Sequence, residues 1–193
     1  PELVRRVAEY EMPAVALTDH GVLYGAIDFY NECQEAGIKP IIGCELYVAP
    51  RSIDQRTKQD QNSFHLLTLA KDETGYRNLL KLSTIAHLEG FYYKPRVDKT
   101  ILRQYAEGLI ATSSCLAGEI PQALLQGDYE RARQLTQEYI EIFGHENFYI
   151  ELQDHGLAEQ KRVNEGLLKL AQEFKLPLLV TNDAHYLTRE DAE

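Results

Sequence analysis

The 193-residue sequence has no tryptophan, one methionine and three cysteines, and no apolar run approaches the roughly 20 residues of a transmembrane helix. Cys33, Cys44 and Cys115 are widely spaced and form no C-x-x-C pair, which excludes a disulfide scaffold and favours a reducing compartment. Basic residues are in the minority, because 20 Lys and Arg against 30 Asp and Glu leave a net charge of −10. Any contact with DNA must therefore use a local site or a neighbouring domain rather than bulk charge.

Two common nucleotide-binding loops are also missing, since neither G-x-G-x-x-G nor G-x-x-x-x-G-K-[ST] follows any apolar run. The chain begins without an initiator methionine or a signal-peptide core, and residues 188–193 resemble the start of a helix. We therefore expect one cytoplasmic domain over residues 1–193, cut from a longer polypeptide, with no membrane partner. The composition, 44% apolar and 26% charged, is that of an ordinary globular domain.

Short runs rich in β-branched residues alternate with amphipathic segments along the whole chain. This alternation predicts an α/β fold of parallel strands and right-handed crossovers, in an open doubly wound sheet or a barrel. The polar segment 51–63 predicts a surface loop or a mobile flap. Asp128 is a predicted helix N-cap, and Gly144 a left-handed helix end. Predicted strands cover 14–19, 40–48, 64–70, 109–114, 148–153 and 177–183, and predicted helices cover 2–11, 22–36, 74–88, 98–106, 119–126, 128–143 and 157–174.

Residues that can bind metal stand at the ends of several predicted strands. Asp19 and His20 follow the first strand, and Asp183 and His185 end the last one with D-x-H spacing. Because the C-terminal ends of parallel strands face the active-site side of an α/β fold, these residues are candidates for one site. A lone histidine after a strand is more often a loop or cap residue, so it is the repetition of the pattern that favours a site.

Glu45, His65 and Cys115 add a carboxylate, an imidazole and a thiol. A carboxylate within an apolar strand is costly to bury without a cation, so Glu45 lies at a solvent-facing edge or binds a metal or a base. His65 starts its strand instead of ending it, which fits the C-terminal-end rule poorly, and Cys115 alone could be a small buried apolar residue. Together the donors suit zinc, manganese or iron, and they argue against a purely Mg²⁺ or Ca²⁺ site.

Two further segments have more than one interpretation. Lys94 and Arg96 stand beside Tyr92 and Tyr93, where they could hold a phosphate and stack a terminal base, or form a solvated basic turn. His155 could cap the following helix or lie at the edge of the site.

Seven ordered motifs carry a family resemblance, and they are TDHG (18–21), IIGCELYV (41–48), FHLLTLA (64–70), GFYYKPRVD (90–98), SSCLAGEIP (113–121), ELQDHG (151–156) and TNDAHY (181–186). They resemble the polymerase and histidinol phosphatase (PHP) domain family, and more narrowly its branch in bacterial replicative DNA polymerases. The resemblance covers essentially the whole chain. It implies a distorted (β/α)₇ TIM-like barrel with a trinuclear metal centre.

The family's metal ligands, carried over by motif, fall on His20, Glu45, His65, Cys115, Asp183 and His185. Asp19 would orient the imidazole of His20. The family's first motif, H-x-H, has no counterpart here, so we expect the first strand and the remaining ligands to lie upstream of residue 1. The resemblance implies divalent metal ions, zinc first and manganese or iron as alternatives, with a full trinuclear set only in the longer protein.

The implied activity is phosphoester hydrolysis, in which Asp183, Glu45 and His185 act through bound metal and water, and Lys94 and Arg96 bind the substrate. In the polymerase branch such a site suits 3′–5′ proofreading, while DNA-directed DNA synthesis belongs to other domains of the longer chain. The implied partners are DNA, those domains and a proofreading exonuclease subunit. Two alternatives stay open: an inactive structural or docking module, and a free-standing small-molecule phosphoesterase.

Overall fold

The computed structural model describes residues 1–192, and all the predicted strands and helices are present. The strands are β1 (Ala14–Leu17), β2 (Lys39–Val48), β3 (Phe64–Ala70), β4 (Arg96–Val97), β5 (Leu109–Thr112), β6 (Phe148–Leu152) and β7 (Leu178–Val180). The helices are α1 (Glu2–Glu9), α2 (Ala26–Glu35), α3 (Glu73–Leu88), α4 (Lys99–Tyr105), α5 (Glu119–Leu125), α6 (Tyr129–Phe143) and α7 (Ala158–Phe174). Short 3₁₀ turns cover Lys58–Asp60, His145–Asn147 and Arg189–Ala192.

The strands form one mixed sheet in the order β1-β2-β3-β5-β6-β7, with β4 beside β2. The expectation of parallel strands throughout was wrong at β3, which runs antiparallel to both β2 and β5. The physical reason lies in the connection from β2 to β3. Segment 49–63 contains the 3₁₀ turn at Lys58–Asp60 and no α-helix, whereas the crossover between parallel strands is usually a helix.

The sheet curls into a half-barrel, and its concave end brings the chain segments after the two outermost strands together. His20 follows β1 and His185 follows β7, yet their ring centroids lie 5.8 Å apart. The long strand β2 pairs with β3 along one edge, and with β1 and β4 along the other. The functional side chains described below gather at this end of the sheet.

The main core lies between the sheet and the helices that follow β3, and it is built from side chains such as Leu46, Leu79 and Phe148. A smaller apolar cluster under α1 and α2 contains Val7 and Phe29. None of the helices described within residues 1–192 combines the length and the apolarity that a membrane crossing needs.

Two helix ends explain how sequence sets the boundaries. Asp128 caps α6 by accepting a bond from the Arg131 amide, as its position predicts. Gly144 ends the helix at a positive φ of 84°, but its ψ of 148° differs from that of the predicted left-handed helical conformation. The start of α3 depends on a close approach, because a Cβ on Gly75 would lie 1.9 Å from the Gly108 carbonyl oxygen. Only glycine therefore fits where α3 meets the turn before β5.

Candidate metal centre

The site begins where β1 passes into the segment holding His20. Backbone pairing with β2 continues past the end of β1, since the Glu45 amide donates to the Asp19 carbonyl (3.1 Å) and the Gly21 amide donates to the Glu45 carbonyl (2.9 Å). His20 is thereby paired directly with Glu45. The His20 Nδ1 atom lies 3.6 Å from Glu45 Oε2.

His65 lies at this end of the sheet because β3 runs antiparallel. The first residues of an antiparallel strand stand beside the last residues of its partner, and His65 is opposite Tyr47 near the end of β2. Its Nδ1 atom contacts Glu45 Oε1 at 2.5 Å. His65 therefore lies at the same end of the sheet as the residues that follow the parallel strands, although it stands near the start of β3.

Cys115 joins the same cluster from the loop after β5. Its sulfur lies 3.8 Å from Glu45 Oε1 and 3.7 Å from His65 Nδ1. The preceding residue, Ser114, adopts a positive φ of 64°, which turns the chain sharply at this point. Cys33 and Cys44 are fully buried elsewhere, so Cys115 is the one cysteine of the three with an accessible side chain.

The D-x-H pair after β7 approaches from the opposite side. His185 Nδ1 lies 2.8 Å from the Asp183 carbonyl oxygen and 3.9 Å from its Oδ1. Asp183 has a positive φ of 46°, a left-handed conformation that aspartate tolerates better than most residues. The His185 ring meets the His20 ring, which brings the D-x-H segment to the edge of the cluster.

Asp19 is half-buried beside His20, and its contact with the cluster is through the backbone. Within residues 1–192 its carboxylate makes no hydrogen bond to the imidazole of His20. Its carbonyl instead accepts from the Glu45 amide and fixes the register of the two segments. The role of its carboxylate in orienting His20 stays a prediction.

The electrostatics of the cluster favour a charged carboxylate and an imidazolium. Burial by itself would raise the pKa of Glu45, but the hydrogen bond from His65 and the nearby His20 outweigh it and lower that pKa. The contacts with Cys115 and Glu45 raise the pKa of His65 to about 9. Both shifts favour the ion pair between His65 and Glu45.

The donor set fits a divalent metal by its chemistry. One donor atom each from His20, Glu45 and His65 lies within 4.8 Å of the others, and the Cys115 sulfur is adjacent. Imidazole nitrogen, carboxylate oxygen and thiolate are the ligands that zinc and related transition metals prefer. A cation would also compensate the burial of Glu45, which is only 7% exposed.

An aromatic residue and a cation border the cluster. Tyr47 stacks with His20 at 6.0 Å and meets the edge of His65 at 5.2 Å, while the exposed Lys94 places its ammonium 5.3 Å from the Tyr47 ring centre. Lys94 is thus positioned at the rim. Tyr47 was not singled out by the sequence, although alternation along β2 puts it on the same face as Glu45.

Arg96 does not face this rim, which corrects the expectation that it contacts substrate. Its side chain is fully buried, and all five N–H donors bind backbone carbonyls in segment 51–63 and at Gly90. The loop is further fixed by a two-point ion pair between Arg51 and the buried Asp60. The prediction for Arg96 was wrong because the sequence pattern around Lys94 and Arg96 does not distinguish an exposed arginine from one that is buried against a loop.

The structure also places two polar residues beside the loops of the site: Glu151, which the sequence patterns did not single out, and His155, for which they left two interpretations open. Glu151 on β6 is 3% exposed, and it accepts hydrogen bonds from Thr112 and Thr181. His155 contacts the Asn182 carbonyl at 2.7 Å, which places it at the edge of the D-x-H segment. Glu151 breaks an apolar strand as Glu45 does, and that signal could have found it.

Comparisons with known proteins identify sequences similar to this chain. The family model of the PHP domain matches residues 1–155, a range that contains His20, Glu45, His65 and Cys115. The chain is 52% identical over 192 residues to the DNA polymerase III alpha subunit of Treponema pallidum, covering 98% of this chain and 16% of that protein. It is 51% identical over 185 residues to the same subunit of Thermus aquaticus, covering 94% of this chain and 15% of that protein.

A solved structure supports the fold independently of close sequence similarity. A protein assigned as a metal-dependent phosphoesterase from Bifidobacterium adolescentis superposes with a TM-score of 0.57 at 13% identity, covering 95% of this chain and 81% of that one. The chain spans about a sixth of the length of the curated relatives it matches. By its matched sequence and its arrangement of strands and helices, the chain belongs to the PHP domain family.

Proposed function

We propose that this chain is the PHP domain of a bacterial replicative DNA polymerase, and that its donor cluster binds divalent metal ions for phosphoester hydrolysis. The observation that carries the proposal is the convergence of His20, Glu45 and His65 within 4.8 Å. The two polymerase III alpha relatives, each more than half identical over nearly the whole chain, support the polymerase context.

The proposed ligands are the six residues His20, Glu45, His65, Cys115, Asp183 and His185. Metals bound by them would supply an activated water and stabilise the charge that develops on the leaving oxygen. Glu45 holds the centre of the cluster through its contacts with both histidines. The His185 ring lies 5.8 Å from the His20 ring, which supports including the Asp183–His185 pair as ligands from the side of β7.

The centre we propose is trinuclear, with zinc the first expectation and manganese or iron as alternatives. In the longer polymerase polypeptide, residues upstream of this chain would contribute the remaining ligands and a further strand, which would extend the half-barrel towards the full (β/α)₇ barrel. The single domain over 1–193 would then be part of a larger PHP domain.

The substrate we propose is the 3′ end of a DNA strand, so that the reaction is 3′–5′ exonucleolytic removal of a nucleotide. Lys94, exposed at the rim, would bind a phosphate, and Tyr47 beside it separates that ammonium from the donor cluster. Arg96 has no free donor for this role. DNA would reach the site through the other domains of the parent polymerase.

The remaining proposed partners are those domains, which perform DNA synthesis, and a proofreading exonuclease subunit. The proposed location is the bacterial cytoplasm.

The test compares metal content and nuclease activity in the full-length polymerase polypeptide. Elemental mass spectrometry should find about three metals per chain, and release of nucleotides from a single-stranded 3′ end should depend on them. Glu45→Gln removes the central carboxylate charge, so it should lower the metal content and reduce hydrolysis by at least about tenfold. Glu165→Gln, an exposed carboxylate on α7, is the matched control and should change neither.

Two results would contradict the proposal. Hydrolysis that survives Glu45→Gln at the wild-type rate would come from another site or a contaminant. Metal content near zero in the wild-type polypeptide would instead favour the structural or docking role for this domain.

A further inference from the structure

Glu151 is a buried carboxylate whose hydrogen bonds, within residues 1–192, come from neutral groups alone. Its Oε2 atom accepts from the Thr112 hydroxyl at 2.5 Å, and its Oε1 atom accepts from the Thr181 hydroxyl at 2.5 Å and the Gln153 amide at 2.9 Å. A buried carboxylate without a cation is costly, and an apolar residue or an amide would satisfy packing with less desolvation. Packing alone therefore does not explain a carboxylate here, and the explanation must lie in what its two oxygens bind.

The two hydroxyls connect Glu151 to the two loops that carry donors of the site. Thr112 also accepts a bond from the Ser114 amide (3.0 Å), and Ser114 precedes Cys115. Thr181 is the residue after β7, two positions before Asp183. One carboxylate thus links the Cys115 loop on one side with the Asp183 loop on the other.

Both loops need such support, because each contains a non-glycine residue at positive φ. Ser114 has a φ of 64°, and Asp183 has a φ of 46°. Backbone in this region is sparsely populated and persists only where surrounding contacts hold it. A carboxylate accepts hydrogen bonds on both of its oxygens, so the Glu151 side chain binds the Thr112 hydroxyl through one atom and the Thr181 hydroxyl through the other.

We propose that Glu151 is a positioning residue, which fixes the Cys115 loop and the Asp183–His185 loop relative to each other. The inference rests on the proposed function for what those loops bind, while the positioning itself is a property of the metal-free chain. Glu151 touches neither the donor cluster nor a substrate, and it acts through Thr112 and Thr181.

The chain offers an internal readout for the first loop. Cys115 is partly accessible, whereas Cys33 and Cys44 are fully buried. In the presence of a chelator and at fixed pH, a thiol reagent should label Cys115 by local opening and the other two cysteines by global unfolding. Site-resolved mass spectrometry separates these rates, and hydrogen exchange of residues 181–187 reports on the second loop.

Each side of the link has its own nearly isosteric variant. Thr112→Val should speed Cys115 labelling about fivefold to tenfold, the factor expected when one buried hydrogen bond is lost from a local opening equilibrium. Thr181→Val should instead speed hydrogen exchange in residues 181–187 by a similar factor. Glu151→Gln should affect both loops, and Thr112→Ser, which keeps the hydroxyl, should label like wild type.

The matched control is Thr136→Val, because Thr136 is also fully buried and its hydroxyl bonds within α6 to the Ala132 carbonyl. Thr136→Val should leave the labelling rate of Cys115 unchanged. Any change should be confined to Cys33 and Cys44, which report global unfolding. Equal Cys115 labelling in Thr112→Val and Thr136→Val, or unchanged loops in Glu151→Gln, would overturn the inference. Because these assays use metal-free protein, a chain that binds no metal would defeat the proposed function and leave this result standing.

Discussion

Replacing Arg96 with methionine tests whether this residue serves the fold or the substrate. The guanidinium is fully buried and donates to the carbonyls of Gly90, Ile53 and Asp60 in buried surroundings, at 3.0 to 3.2 Å. Two longer bonds, at 3.3 and 3.4 Å, reach Gln55. Methionine fills much of the volume and restores none of these hydrogen bonds, so three buried carbonyl oxygens lose their donor.

Each orphaned buried carbonyl costs about 1 kcal/mol or more, and relief from burying the guanidinium offsets part of that loss. We expect Arg96→Met to lower the free energy of unfolding by about 3 kcal/mol. In a chain of this size that corresponds to a melting midpoint about 6 to 12 °C lower. Arg96→Lys, with a point charge and differently placed donors, should recover only part of the loss.

Urea and thermal denaturation of the purified variants measure this, with Lys94→Met as the matched control. Lys94 is exposed, so its loss should change the free energy of unfolding by less than about 0.5 kcal/mol while weakening the binding of a 3′-terminal oligonucleotide. Wild-type stability in Arg96→Met would refute the reasoning, because it would mean that the carbonyls find other donors or that the side chain is not held as described.

Three further variants probe how the fold is held. The Arg51 guanidinium lowers the pKa of Asp60, so the pair stabilises the fold above about pH 3.8 and its contribution is lost as the pH falls through the lower folded pKa. The urea midpoints of wild type and Asp60→Asn should therefore approach each other as the pH falls below about 3.8. A difference between the two midpoints that stays constant down to pH 2 would contradict this assignment. Asp128→Ala removes the cap of α6 and should cost about 1 kcal/mol in chemical denaturation, and no loss would mean that water replaces the cap. Gly75→Ala drives a Cβ into the Gly108 carbonyl and should cost at least about 2 kcal/mol, so a variant as stable as wild type would disprove the close approach.

The presence and order of the predicted elements were predictable because hydrophobic period and caps are local signals, although the predicted strands run two or three residues past the ends of β1, β5 and β7. Strand direction was less so, and β3 shows why. The sequence between β2 and β3 lacks a helical period, which argues against a helical crossover and therefore against a parallel pair. The general alternation along the chain nevertheless favoured parallel strands. The two-residue strand β4 is too short to show any period.

Three of the predicted ligands, His20, Glu45 and His65, meet in the structure, but the sequence did not predict the contacts between them. Glu45 stood out because a carboxylate in an apolar strand needs a partner, and the structure supplies His20 and His65. Glu151 carries the same signal and is the first residue of the ELQDHG motif, but it was not singled out because that motif served only the family resemblance. Lys94 faces solvent and Arg96 does not. This difference depends on how segment 51–63 packs, and no local sequence pattern encodes the packing of a distant loop.

The meeting of His20 and His185 has a mechanical consequence for the half-barrel. Within residues 1–192, β1 and β7 form no backbone ladder with each other, and the segments that follow them meet through the rings of His20 and His185. A metal ion bound by both imidazoles would link these two segments, so it would resist separation of the segment after β7 from the segment after β1.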